Sequence, residues 1–179
     1  MKYVIAFLLS LTAGSVVAVC PTNQLIISDL NQIYSDLKFA KSPQDARKFT
    51  DQLWILWTKA PNDEAQQLLD GGMLKMRQGD LNAAEATLTE LVIYCPDYAE
   101  GYNQRAFARY LGSNFKDALP DLEKALSILP RHLGALSGAG LTYLALGQAS
   151  KAEIQFRKAL ALNPFTPERD LIRNLGTDL

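Results

Sequence analysis

LSGAGLTYLALGQASKAEIQFRKALALNP, residues 136–164, is the stretch on which the fold turns. Moving 34 residues upstream, Leu136, Gly140, Ala152, Phe156, Ala159 and Pro164 become Tyr102, Ala106, Ala118, Leu122, Ala125 and Pro130. A second step of 34 gives Leu68, Gly72, Ala84, Leu88, Leu91 and Pro96. Any one of these matches alone is worthless. Their agreement in three copies marks an internal repeat, and repeats of this length build solenoids. Within each copy, apolar residues recur at three- and four-residue spacing, which predicts two amphipathic helices per unit. The small residue of the first helix and the alanine of the second let two helix backbones approach, and the larger residue four places on fills the groove beside them. Each proline ends the second helix. Turn signals at Gly79-Asp80, Gly112-Ser113-Asn114 and Gly147 separate the two helices of each unit.

These residues resemble the tetratricopeptide repeat, whose consensus places an aromatic or Leu, a small residue, Ala, a large apolar residue, Ala and Pro at these sites. The resemblance covers about Ala65 to Thr166, and the third unit matches best. Arg131 to Gly138 also looks like small secreted repeat proteins of alphaproteobacteria. The family resemblance implies an all-α, right-handed solenoid of helix-turn-helix pairs, with a protein or peptide partner held in the concave groove. The expected organisation is a signal peptide at 1–18, an N-terminal helical pair at 19–64, repeats at 65–98, 99–132 and 133–166, and a C-terminal capping helix at 167–179.

Outside the repeats, Leu25, Leu30, Ile33 and Leu37 form one stripe, and Phe49, Leu53, Leu56 and Trp57 another, with Ser42-Pro43 as a start signal. This pair reads as a degenerate cap covering the first unit, since an open terminal repeat exposes apolar surface. Thr166-Pro167-Glu168 starts a last helix that runs to about Leu175, with Gly176 as its stop. Pro120 disturbs the second helix of the middle unit, which is expected to start late or bend in its first turns.

Lys2 is the only charge before a run from Tyr3 to Val19, and Val16-Val17-Ala18 offers a cleavage site. The segment reads as a secretory signal and the protein as periplasmic or secreted. An uncleaved anchor and lipid attachment at Cys20 are the competing readings. A net charge of −1 gives no reason to expect nucleic acid as a partner, and a membrane enters only if the N-terminus is an anchor. No cofactor, metal or small-molecule substrate is expected. The two cysteines, Cys20 and Cys95, can pair in an oxidising compartment or stand as a terminal thiol and a buried one.

By position, first-helix residues line the groove: Gln66, Leu69, Met73, Met76 and Arg77; then Glu100, Asn103, Phe107, Tyr110 and Leu111; then Gly134, Ser137, Leu141, Leu144 and Ala145. Met73, Met76, Arg77, Asn103, Phe107, Tyr110, Ser137, Leu141 and Leu144 are the candidate contacts, with a terminal helix folding back into the groove as the alternative. Asp70, Gln104 and Gly138 stand where carboxylate-gripping members of the family carry Asn, so that clamp is absent. Arg105 and Arg109 either pack by their stems, Arg109 reaching Asp117 or Asp121, or meet a partner's carboxylate. Trp54 and Trp57 read as packing against the first repeat or as a binding platform. Asp121 and Glu123 read as a solvated face. His132, the single histidine, has no arranged partners for catalysis or metal.

Overall fold

The computed structural model describes residues 20–21 and 26–175. The proposed signal at 1–18 and the Gly176 stop lie outside them. Among the described residues there are nine helices and no strands. They are α1 (Ile26–Lys38), α2 (Pro43–Trp57), α3 (Asp63–Arg77), α4 (Leu81–Tyr94), α5 (Ala99–Leu111), α6 (Phe115–Ile128), α7 (Leu133–Ala145), α8 (Ala149–Leu162) and α9 (Arg169–Leu175). The second helices begin at Leu81, Phe115 and Ala149, in step with the 34-residue period.

Each unit closes in the way its small residues require. A Cβ on Gly72 would stand 2.5 Å from Leu88 Cγ, and one on Gly140 would stand 2.2 Å from the Phe156 ring. Ala106 and Leu122 share the equivalent core of the middle unit. The turns repeat as faithfully. The Asp80, Asn114 and Gln148 amides donate to the carbonyls of Lys75, Arg109 and Tyr143 at 3.0, 2.8 and 2.8 Å, closing the last helical turn. The left-handed residue of each turn is Gly79 (φ 80°), Ser113 (φ 61°) or Gly147 (φ 72°). In the middle unit the glycine, Gly112, sits one place early, so a serine adopts the conformation glycine favours.

First helices form the inner layer. α3 meets α5 and α5 meets α7, whereas α4, α6 and α8 make no comparable contact with one another. A tighter inner row curves the stack with α3, α5 and α7 on its concave side. At the far end Ile172 of α9 packs on Ala152 and Phe156, covering the last unit.

Two expectations need correction. The middle unit's second helix does not start late; α6 begins in register at Phe115 with Pro120 inside it. The proline leaves the Lys116 carbonyl without its helical donor, and Arg109 Nη1 donates to the neighbouring Asp117 carbonyl at 2.9 Å. The N-terminal pair does not cap the first unit. Leu30, Tyr34, Leu37, Leu53 and Trp57 instead form one buried core with Leu133, Leu136 and Ala159 of the third. The sequence one period before Gly72 and Ala84 explains why. Lys38 and Thr50 stand there, too large or too polar for the close contact that nests a regular pair. Released from that stacking, the α1–α2 hairpin lies over α7. Fully burying each of its leucines contributes roughly 1.5–3 kcal/mol.

Candidate partner-binding surface

The hairpin is fastened to the repeats at several points. The Tyr34 hydroxyl donates to the Arg131 carbonyl, and the Arg131 guanidinium lies 4.7 Å from the Tyr34 ring centroid while bonding Asn31. The Tyr98 hydroxyl donates to the Trp57 carbonyl at 2.6 Å. Burial pushes both tyrosines above their usual pKa, which keeps them protonated donors. Ahead of α1, Cys20 is bonded to Cys95 at the end of α4, with the Cα atoms 5.1 Å apart.

Beneath the hairpin lies a closed polar cluster. Trp57 stacks on His132 with ring centroids 4.1 Å apart. His132 Nδ1 accepts the Ala135 amide at 3.3 Å and so caps α7. That role places the ring proton on Nε2, which donates to Glu100 Oε2 at 2.7 Å. The Asn103 and Gln104 side-chain amides also donate to Glu100. Glu100 sits in the first turn of α5, where the helix dipole favours a negative charge. Glu100 and His132 are both fully buried. Glu100, expected to face the groove, instead organises its floor.

A second network ties α4, α5 and α6 together. Arg105 forks onto Asp121 at 2.6 and 2.8 Å. Arg109 bridges Glu85 at 2.8 Å and Asp121 at 2.9 Å. Asp121 is therefore buried, not on a solvated face, and Arg109 takes the packed alternative. Hydrogen bonds to Asp121 raise the Arg105 pKa above its ordinary value. Asp121→Ala is expected to lose about 2–3 kcal/mol in urea unfolding, because it leaves two largely buried guanidinium groups without their carboxylate. A change within experimental error would show that solvent replaces it.

The candidate groove residues differ in what covers them. Met73 and Met76 pack against the first unit's core, and Leu69 is wholly inside it. Leu141 and Leu144 pack on the C-terminal cluster. Ser137 and Gly134 line a cleft under α2 with Pro43 and Thr50, so the N-terminal hairpin walls the α7 end of the groove. Asn103 is buried on Glu100, and Tyr110 meets Phe115 edge-on, 5.3 Å between centroids. What stays open is Arg77 on α3, Phe107 and Leu111 on α5, and Trp54 on α2; these last three are 49%, 45% and 43% exposed. Trp57 is core, whereas its neighbour Trp54 is at the rim. Sequence spacing put both on one face but did not separate their fates.

Residues 134–166 match the family model described as tetratricopeptide repeat. A TPR repeat-containing protein of Rhizobium etli is 31% identical over 109 residues, covering 61% of this chain and 53% of that protein. The match therefore spans about half the length of that curated relative. Among solved structures, the first TPR of Spaghetti bound to the HSP90 peptide SRMEEVD is similar at TM-score 0.62 and 23% identity, covering 64% of this chain and 91% of that one. The Arabidopsis OM64 TPR domain is similar at TM-score 0.62 and 23% identity, covering 65% and 98%. Identities this low bear on the fold alone.

Proposed function

Because this chain carries tetratricopeptide repeats stacked as a solenoid, we propose that it is an exported scaffold that binds a peptide or helix of another protein in the cell envelope. The carrying observation is on the concave face, where the half-exposed Phe107 and Trp54 line one slot. Leu111, also half-exposed, lies one turn beyond Phe107 on α5, and exposed apolar residues grouped on one face mark an interaction site. The neighbours lend weight, since the Spaghetti domain is described with a bound peptide.

Export rests on the apolar segment before Cys20 and is supported by the Cys20–Cys95 bond, because disulfides persist in oxidising compartments. The same bond argues against a lipid anchor, since a sulfur held in a disulfide carries no thioether. An intact mass beginning at Val19, two hydrogens short of the dithiol, is the expected form of the exported protein.

Phe107→Asp tests the binding face. Partner recovery from an envelope extract is expected to fall at least about tenfold, because a charge on a desolvated contact costs more than the lost packing. The thermal melt should move little, since Phe107 is half in solvent. Undiminished recovery would remove this face from the proposal.

A further inference from the structure

Where α2 crosses the repeats, a slot of about 200 Å³ opens between Trp54 of α2, Phe107 and Asn103 of α5, Leu122 of α6, and Gly134 and Gly138 of α7. We propose that this slot, walled on one side by the N-terminal hairpin, holds a single large apolar side chain of the partner peptide, a leucine, methionine or phenylalanine. The inference deepens the scaffold reading and rests on it.

Size comes first. An apolar cavity of about 150 Å³ accepts a benzene ring, so this volume suits one such side chain. The two glycines keep it open. A Cβ on Gly138 would press on Leu122 at 3.0 Å, and one on Gly134 would come within 3.5 Å of Asn103 Nδ2. Larger residues at either place would fill the slot from below.

Charge then selects the occupant. None of the lining side chains is ionised. The polar hydrogens nearest the slot, on Asn103 and Gln104, are directed to Glu100. The two arginines of α5 are engaged elsewhere, Arg105 by Asp121 and Arg109 by Glu85 and Asp121, and the exposed Arg77 of α3 does not line the slot. A carboxylate entering the slot would give up most of its water without meeting a lining cation, whereas an apolar side chain has little hydration to lose. A carboxylate side chain is therefore the wrong chemistry for this slot. Trp54 and Phe107 at its rim supply the aromatic area that typifies binding hot spots.

The experiment uses the full mature chain and fluorescein-labelled twelve-residue peptides with acetylated and amidated ends. The peptides share an alanine-rich frame and differ at one central residue: Leu, Met, Phe, Ser, Lys or Glu. Fluorescence polarisation is expected to show saturable binding of the Leu, Met and Phe peptides, with the Ser, Lys and Glu peptides at least about tenfold weaker. Trp54→Ala removes the hairpin's wall and is expected to erase that preference; because Trp54 is 43% exposed, the fold should survive, as checked by circular dichroism. Gly134→Leu, which fills the slot, should do the same. Equal binding of all peptides, tighter binding of the Glu peptide, no binding by any, or a preference that survives Trp54→Ala would each overturn the slot. If a specific partner is nonetheless recovered from the envelope extract and lost with Phe107→Asp, the scaffold stands and only its anchor has been misplaced.

Discussion

Gly140→Ala is expected to destabilise the protein by about 2 kcal/mol, although alanine is the better helix former by about 1 kcal/mol. Two terms of opposite sign compete, and distance decides between them. The added methyl would lie 2.2, 2.4 and 2.7 Å from three carbons of the Phe156 ring. Phe156 is fully buried, as is Ala152 beside it, so the ring cannot yield without displacing α8 or the Ile172 contact. Overpacking therefore outweighs the gain in propensity. Adjacent glycines of the first unit provide an internal control. A Cβ on Gly71 meets only Thr87 Cγ2 at an ordinary 3.6 Å, whereas one on Gly72 meets Leu88 at 2.5 Å. Gly71→Ala should thus stabilise by up to about 1 kcal/mol while Gly72→Ala destabilises. Urea melts of the three variants measure all of this. A stabilised Gly140→Ala would mean that the helix pairs are looser than their geometry states.

Opening the Cys20–Cys95 bond is expected to cost about 4 kcal/mol, the chain-entropy value for a loop of this size. The bridge spans 75 residues and encloses the whole hairpin and the first unit, so the unfolded chain gains much freedom when it opens. Reduction with dithiothreitol gives the cleaner measurement. Cys95→Ser also places a hydroxyl at a position 1% exposed, which adds a desolvation penalty. Cys20→Ser, at the partly exposed partner, separates the two effects. Amide exchange should rise most in α1 and α2, which the bond secures at their leading end, and least in α7 and α8. Two titratable thiols in the unreduced exported protein, or an unchanged urea midpoint on reduction, would contradict the prediction.

Much of the architecture was legible because a solenoid writes its packing into its sequence. Each unit repeats the same helix contact, so Gly72, Ala106 and Gly140 had to face Leu88, Leu122 and Phe156 for the period to exist at all. The turn positions were legible too, except that the left-handed residue of the middle unit is Ser113 and not Gly112. Charged residues were the hardest to place. Asp121 occurs in a polar-looking stretch, yet two arginines from the preceding helix make its burial favourable. Glu100 looks like an exposed first-turn acid, yet His132, 32 residues on, meets it in the interior.

By itself the sequence determined the repeat, its phase, the helix boundaries to within a few residues and the small-to-large contacts inside each pair. The tertiary structure alone decided where the α1–α2 hairpin lies, which candidate groove residues stay open, and that Trp54 is a rim residue while Trp57 is core. The reason is one of range. Periodicity reports which side chains share a face, because that follows from backbone geometry over a few residues. What covers the face depends on many weak contacts between segments 75 to 130 residues apart, such as Tyr34 with Arg131 and Leu37 with Ala159, and no local pattern records that sum.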